Sequence, residues 1–344
     1  MNMFRSTSKN GARSLGKLSR AEVKSVVDGY QAIYDAGEDE RKEQYSSLVN
    51  HYYDLATDFY EFGWGRYFHF APRRRGERLR DSLIRHQHFL ADRLALEPGM
   101  QVLDLGCGVG GPMGSIAHYS GASMVGINNN AYQIERARLH TKDISSLCRF
   151  IKADFMRIPE KDDHFNAAYA IEATVHAPDL TGLYREIFRV LRPGACFASY
   201  DWCLTDKFDA GNTRHQRIKN DIMIGDGLPD IPGTSEVDTA LRSAGFELLD
   251  AHDRADEADR QTPWYRPLQG RDFSLSGIPR TPWGRALVNL TLRAGEAVRM
   301  VPKGSRAVST LLNRAGDALV EGGKSGIFTP MYFVLARKPL RSGD

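Results

Sequence analysis

The spacing of apolar and polar positions changes rhythm along the chain. Over residues 21–95 it is mostly helical: Leu79, Leu83, Leu90 and Leu94 recur at helical spacing between charges, and Pro98-Gly99 ends the run. From Met100 short apolar runs take over. QVLDLG (101–106), SMVGI (123–127), CRFIKA (148–153), FNAAYAI (165–171), CFASYDW (196–202) and FELLDA (246–251) predict strands. The stretches 131–141, 180–191 and 235–243 between them predict helices, the last two closed by Arg192-Pro193-Gly194 and by Gly245. Strands alternating with crossover helices predict a doubly wound, mostly parallel α/β sheet. After about residue 255 the pattern loosens into two helices (282–300 and 305–320) and a strand, FTPMYFVLARK (328–338), apolar enough to join the central sheet. The organisation expected is a flexible tail over 1–20, a helical cap over 21–95, an α/β core over 96–255 and an extension over 256–344.

Composition narrows the class. Hydrophobic residues at 42% and charged residues at 26% suit a folded domain with a core. Forty-six Lys and Arg against forty-three Asp and Glu leave a formal +3, too balanced for a general nucleic-acid binder. Four cysteines without a CxxC pair argue against a disulfide scaffold and a structural zinc site, and suit a reducing compartment. No apolar run approaches the ~18 residues of a membrane span. The opening MNMFRSTSKNGARSLGKLSR has no apolar core for a secretory signal; its basic, Ser-containing character leaves a transit peptide as the alternative to a plain tail.

The strand 101–106 runs into Gly106-x-Gly108-x-Gly110, where glycines let the backbone approach a ligand and the next helix offers free N–H groups. A dinucleotide loop matches this pattern too. Two features tilt the choice: Asp104 puts a carboxylate two residues before the first glycine, and Asn128-Asn129-Asn130 stands where a nicotinamide site would place an acid for the ribose. The loop therefore resembles motif I of the S-adenosylmethionine-dependent methyltransferases, with Gln133 on the following helix and Asp154-Phe155, after the third strand, as further cofactor candidates; the bland reading of the last pair is a loop acid and a core aromatic.

Residues 52–70 hold nine of the chain's thirty-four aromatics, where about two would be expected. A core plug is the structural explanation. Asp54, Asp58, Glu61, His69 and the Gly63-Trp64-Gly65 turn mixed among them suit a pocket wall better, and aromatic faces with nearby acids stabilise cations. A second candidate stretch is Tyr169-Ala-Ile-Glu172-Ala-Thr-Val-His176, at the carboxyl end of the fourth strand, where open α/β sheets bind ligands.

These segments, together with GINNNAYQ (126–133), GDGLPDIP (225–232) and VEGGKSGIFTPMYFVLARKP (320–339), resemble the sterol C24-methyltransferases over residues 25–339, closest to the plant and green-algal branch, whose usual acceptor is cycloartenol. The resemblance implies a class I, Rossmann-like methyltransferase fold and S-adenosylmethionine as cofactor. It implies methyl addition to C24 of a Δ24 sterol through a carbocation, without a metal. It further implies a sterol substrate, no nucleic acid, and a cytoplasmic location or peripheral contact with the endoplasmic reticulum. A homo-oligomer is expected. On this reading Asp104, Gly106, Gly108, Gly110, Asn128, Asn129, Gln133, Asp154 and Phe155 hold the cofactor. Tyr53, Asp58, Phe62, Phe68 and His69 line the acceptor. Tyr60, Phe62, Trp64 and Phe68 face the cation, with Glu61 and Glu172 as electrostatic partners. Glu172, His176 and His69 are candidates for the base, with Glu172 or a residue it orients favoured. The stretch 282–301 is a candidate for membrane contact, against the preferred reading of a helix packed on the core.

The chain departs from the family pattern at Val175 for a Cys, Asn166 for an Asp, Asp201 for a Glu, Arg66-Tyr67 for a Gln-Ser pair and Ala131 for an acid. These changes are expected on the pocket wall, where they bear on the acceptor. The aromatic block is also similar to that of the cyclopropane fatty acid synthases, which leaves another alkene lipid as an alternative acceptor. A non-catalytic sterol-binding relative is a second alternative, opposed by the intact loop, Glu61 and Glu172.

Overall fold

The structure, a computed structural model, describes residues 20–270 and 305–341, apart from the side chains of residues 20–24, 27, 55–56, 58–60, 62–64 and 305–308. The expected tail and the segment 282–301 lie outside the described residues. Seven strands form one sheet: β1 (Gln101–Leu105), β2 (Ser123–Asn128), β3 (Cys148–Lys152), β4 (Phe165–Ile171), β5 (Leu191–Leu204), β6 (Glu247–Asp253) and β7 (Phe328–Arg337), in the order β3-β2-β1-β4-β5-β7-β6. β7 alone runs antiparallel to its neighbours. The inner strands β1, β4 and β7 are buried along nearly their whole length and read as near-continuous apolar runs, whereas the edges β3 and β6 alternate with exposed polar residues.

The helices are α1 (Arg20–Asp35), α2 (Glu38–Glu43), α3 (Tyr45–Trp64), α4 (Leu79–Arg93), α5 (Gly111–Ser120), α6 (Ala131–His140), α7 (Leu180–Val190), α8 (Thr213–Asp226), α9 (Thr234–Ser243) and α10 (Ser305–Ser325). Alternation along the strands divides the core between the two faces. Leu103 and Leu105 pack with Leu183, Ile187 and Leu241, from α7 and α9. Val102 and Tyr169 pack with Leu90 and Ile116, from α4 and α5. A third cluster lies beyond the end of β5, where Tyr30, Leu48 and Tyr52 of α1 and α3 meet Ile218 and Ile222 of α8, Leu319 of α10, Trp202, Trp264 and Phe328.

The sheet is the doubly wound, mostly parallel one the sequence predicts, and β7 joins it as expected. Three details differ. β5 extends from Leu191 to Leu204 because its ladder with β7 continues to Leu204, opposite Phe328. α8 has no counterpart in the predicted pattern; its apolar positions are few, and Asn212 starts it by accepting from the Arg214 and His215 amides. Gly63 and Trp64 form no turn: α3 runs through both and stops at Gly65, whose φ is 72°.

Candidate active site

Asp104 lies in the middle of the sheet, where burial is costly for a carboxylate. It is 3% exposed, it accepts the Tyr169 hydroxyl at 2.8 Å, and burial pushes it up to about 7. Above it, Gly106 and Gly108 both have positive φ (71° and 51°). A Cβ on Gly106 would lie 2.5 Å from that of Ala173, so glycine is required there for packing, whereas one on Gly108 would meet nothing within 4 Å. The loop is thus closed beneath and open at Gly108, and α5 begins behind Gly110 without a side-chain cap, leaving amide donors for a ligand. This open glycine cradle over a buried carboxylate fits an adenosyl sulfonium ligand.

α3 lies across the carboxyl ends of β2 and β3. Several of its polar residues meet predicted cofactor residues or the helix that follows them. Tyr45 donates to Asp154, which also accepts the Met156 amide at 2.9 Å. Asn129 donates to Ser46 at 2.8 Å and Asn130 to Asp54 at 2.9 Å. Gln133, 2% exposed, donates to Thr57 at 3.3 Å and accepts from Asn128 at 2.8 Å. Glu61 accepts two bonds from Arg136, at 2.8 and 3.0 Å, with His140 at 3.2 Å. Burial pushes its carboxyl up, but the hydrogen bonds from His140 and Arg136 outweigh it and hold the carboxyl below the usual range. Glu61, expected to offer its charge to a substrate cation, is paired in the structure with α6 and ties that helix to α3. Phe155 packs against the core on the sheet's α7 side, closer to the bland reading than to a stacking role.

Glu172 closes β4 with φ at 54°, a left-handed conformation that a non-glycine residue adopts only at a cost. The strain aims its side chain between two donors: Oε1 accepts the Phe70 amide at 2.6 Å and Oε2 the Trp202 indole N–H at 2.7 Å. Burial pushes it up to about 8, while the two hydrogen bonds favour the anion. Phe70, Trp202, Trp264 and Phe328 form a ring cluster around this end, with centroids 5.0 to 6.1 Å apart. Ala173, the residue after Glu172, is the one packed on Gly106, so the carboxylate and the glycine loop share a wall.

His176 follows on a short 3-10 turn. Its Nε2 lies 3.0 Å from the Tyr53 hydroxyl, and burial lowers it to about 4. Burial, with Asp226 and Glu172 nearby, holds the Tyr53 phenol well above its usual range, so Tyr53 is the donor and Nε2 the acceptor. His69 is placed differently. Its Nδ1–H donates to the Phe70 carbonyl at 2.7 Å, its Nε2 accepts from Gln87 at 2.8 Å, and burial lowers it to about 4. With both nitrogens engaged it supports the Phe70 segment; the expected role as base or acceptor contact would require one of these bonds to be given up. Phe68 is half-buried just before it. Asp58, Tyr60, Phe62 and Trp64 lie on α3, and their side chains lie outside the described residues.

Two of the departing residues are not on the pocket wall. Asn166 sits near the amino end of β4 and accepts the Gln101 amide at 2.9 Å. Asp201 is buried between the hydroxyls of Thr174 and Ser199 and is raised by burial to about 6. Val175 does lie with the ring cluster, the Arg66 carbonyl packs on Gly111, and Ala131 opens α6. Sequence reasoning missed Tyr45, Ser46, Thr57, Arg136 and His140, and the part played by Phe70, Trp202, Trp264 and Phe328. For the first group a signal exists: Ser46, Asn50, Asp54, Thr57 and Glu61 form a polar stripe at helical spacing.

Two family profiles match the chain: a methyltransferase domain over residues 103–199 and the sterol methyltransferase C-terminal domain over residues 275–340. The chain is 51% identical to a cycloartenol-C-24-methyltransferase of Oryza sativa subsp. japonica, covering 97% of this chain and 99% of that one. It is 50% identical to the cycloartenol-C-24-methyltransferase of Arabidopsis thaliana, with 94% and 97% covered. Among solved structures, the geranyl diphosphate C-methyltransferase of Streptomyces coelicolor A3(2), in complex with Mg2+, geranyl diphosphate and S-adenosyl-L-homocysteine, aligns with a TM-score of 0.61 at 16% identity, over 86% of this chain and 98% of that one; this likeness concerns the fold. The protein is thus an enzyme with S-adenosylmethionine as its cofactor, and the chain belongs to the sterol 24-C-methyltransferase family.

Proposed function

We propose that the enzyme transfers a methyl group to C24 of a Δ24 sterol, with cycloartenol as the acceptor, and that the cofactor end and the Glu172 end of the sheet divide the work. The observation that carries this is the buried Glu172 carboxylate, held by two N–H donors inside a ring cluster and one residue from the wall of the glycine loop. When bound, S-adenosylmethionine supplies an electrophilic methyl carbon. Asp104, Gly106, Gly108, Gly110, Asn128 and Asp154 would hold it, with Asn129, Gln133 and Phe155 supporting them and α3 lying over the site. The methyl group would pass to the acceptor π bond as the carbon–sulfur bond breaks and sulfur keeps both electrons, so the acceptor would be left with a tertiary cation at C25.

The cation has no solvent to stabilise it, and this is the task of Glu172 and the aromatic faces of Phe70, Trp202 and Trp264. A cation nearby favours the ionised form of Glu172 and pulls it below the value that burial alone imposes. After a hydride shift the proton is lost. The geometry supports Tyr53 and His176 as the acceptor pair: the Tyr53 oxygen takes the proton as its own passes to Nε2 of His176, which burial keeps neutral and ready. The rings exclude water that would otherwise capture the cation. The acceptor is a membrane lipid, which suits a peripheral enzyme of the endoplasmic reticulum. No helix among the described residues is long and apolar enough to cross a membrane.

Incubation with methyl-labelled S-adenosylmethionine and a sterol panel, with products read by mass spectrometry, tests the proposal. A Δ24 sterol with a free 3-hydroxyl gains the label and its saturated side-chain analogue does not. Labelling of an unsaturated acyl chain, with sterols untouched, would overturn it.

A further inference from the structure

The segment joining Phe70 to α4 carries charge that neither the catalytic site nor the fold uses. Residues 73–85 contain six arginines against Glu77 and Asp81, a formal +4 in a chain whose total is +3. Arg85 is committed to Glu77, at 2.8 Å, and to the Pro72 carbonyl, and Arg73 reaches the Glu77 carbonyl. Arg74, Arg75, Arg78 and Arg80 are exposed, and among the described residues no carboxylate lies within ion-pair distance of any of them. Helix stability does not account for them: Arg78 is the N-cap of α4 and Arg80 lies in its first turn, where cations oppose the helix dipole. The cavity of about 540 Å³ beneath the loop is electrically balanced, since Arg74, Arg85 and Arg254 line it with Asp81, Asp92 and Glu257. Of the four exposed arginines Arg74 reaches this cavity, while Arg75, Arg78 and Arg80 lie outside its lining and carry the excess charge on the exposed face of the loop.

That face is rigidly tied to the acceptor end. Phe70 donates to Glu172, and Arg74 follows four residues later, within about 14 Å of chain. The Arg73 carbonyl accepts the Asp259 amide at 2.8 Å and the Thr262 hydroxyl at 3.3 Å, which joins the loop to the segment that carries Trp264. A sterol is nearly insoluble in water and stays in its bilayer, so an enzyme acting on it must bring its acceptor end to the membrane surface.

We propose that Arg74, Arg75, Arg78 and Arg80 form an electrostatic docking surface for an anionic phospholipid bilayer, seating the acceptor end of the enzyme on the membrane from which it draws substrate. This rests on the sterol reading for its purpose but not for its chemistry. Each arginine near an anionic surface strengthens attachment about fivefold, and the four together act over the short range set by salt screening.

Flotation of the full chain with phosphatidylcholine vesicles, with and without phosphatidylserine, tests it. Attachment requires phosphatidylserine and falls with added salt. The variant Arg74→Gln/Arg75→Gln/Arg78→Gln/Arg80→Gln attaches about 10²- to 10³-fold more weakly, whereas Arg185→Gln/Arg192→Gln, elsewhere on the surface, attaches as wild type does. Methylation of detergent-dispersed sterol is unchanged in the quadruple variant, and on vesicle-borne sterol its KM rises with kcat kept. All four side chains are exposed; melting of the same preparation confirms the fold, and the salt dependence of the wild type provides a readout free of any variant. Equal attachment to both vesicle types, wild-type attachment by the quadruple variant, or binding to an RNA oligonucleotide without binding to vesicles would each overturn the proposal. Vesicle attachment needs no turnover, so a chain that docks through the loop yet methylates no sterol refutes the sterol reading alone.

Discussion

The cofactor end of the sheet and the acceptor end solve opposite problems. At the cofactor end, neutral amides and hydroxyls bond to one another across α3 and α6: Asn128 to Gln133, Gln133 to Thr57, Asn129 to Ser46, with one half-exposed ion pair at Glu61. At the acceptor end two ionisable groups sit among rings and are moved far from their usual values: Glu172 up to about 8 and His176 down to about 4. Many weak, directional bonds suit recognition of a polar ligand, because each can be lost at modest cost. A hydrocarbon acceptor offers no polar handle, so that end relies on isolated charge in a low dielectric, where one group carries a large share of the effect. Asp104 is the exception at the cofactor end, being buried and shifted as the acceptor groups are.

The largest test of this contrast is Glu172→Gln. Removing the charge from a desolvated site costs about 10²–10³ in single-turnover rate. The structure adds a stability cost that shape conservation alone would miss. Both carboxylate oxygens accept from N–H donors, so the amide nitrogen of Gln must face either the Phe70 amide or the Trp202 indole, at about 1–3 kcal/mol. Thermal unfolding and single-turnover rate are measured on the same preparation; a destabilised protein with near-normal turnover per folded molecule makes Glu172 structural.

His176 and Tyr53 come next. His176→Gln lowers the rate about 10²-fold if the ring accepts the proton. Tyr53→Phe removes the oxygen that takes the proton and costs at least as much, about 10²-fold or more. A smaller loss in Tyr53→Phe than in His176→Gln would make His176 the base and Tyr53 its support.

The sheet was legible because its strands are short apolar runs separated by turns, a pattern set by burial that survives without knowledge of the partners. The glycine loop was legible because backbone approach to a ligand leaves a mark in residue type. The partners of Glu61 and His69 were hidden for a common reason: the sequence shows which groups are near in the chain, but whether a polar group is free depends on partners such as Arg136, 75 residues away from Glu61, and Gln87. The aromatic block was read as one wall, yet the ring cluster draws Trp202, Trp264 and Phe328 from three distant segments and, among the described side chains, joins them to Phe70 of the block. Long-range pairing leaves no local signal. The stripe from Ser46 to Glu61 did leave one, but the density of rings around it masked the polar periodicity.

A smaller test probes the cofactor end. Glu61→Gln and Arg136→Gln each weaken cofactor affinity about threefold to tenfold, with turnover at saturating cofactor kept, as expected for a half-exposed pair holding α3 in place. A double-mutant cycle, read by calorimetric titration with S-adenosylmethionine, shows coupling between them. Lost turnover at saturating cofactor in Glu61→Gln would restore Glu61 to the acceptor end and erase the contrast.

The smallest effect separates the two ends by pH. Burial raises Glu172 to about 8 and Asp104 to about 7, so the folded state holds these protons more tightly than the unfolded one. Their contribution to stability is complete below the unfolded carboxylate range and is lost as pH rises through about 7 and 8. His69 and His176, lowered to about 4, act in the opposite sense: the unfolded chain binds their protons below about 6.5, so stability rises with pH from about 4 to 6.5. The opposing slopes overlap at acid pH, where Asp201 also contributes and where His86 and His88, lowered by burial, add to the rising side; between about 6.5 and 8.5 the fall among the described residues comes from Asp104 and Glu172. In that window the melting temperature falls by a few degrees, roughly the scale of 1–2 kcal/mol in a chain of this size. Glu172→Gln removes the upper part of the fall and leaves the part near pH 7. S-adenosylmethionine, by placing a cation near the buried carboxylates, flattens what remains. A melting temperature that does not fall between pH 6.5 and 8.5 would mean that water or a cation reaches both carboxylates in the free enzyme, and the acceptor end would then not be the low-dielectric site on which the contrast depends.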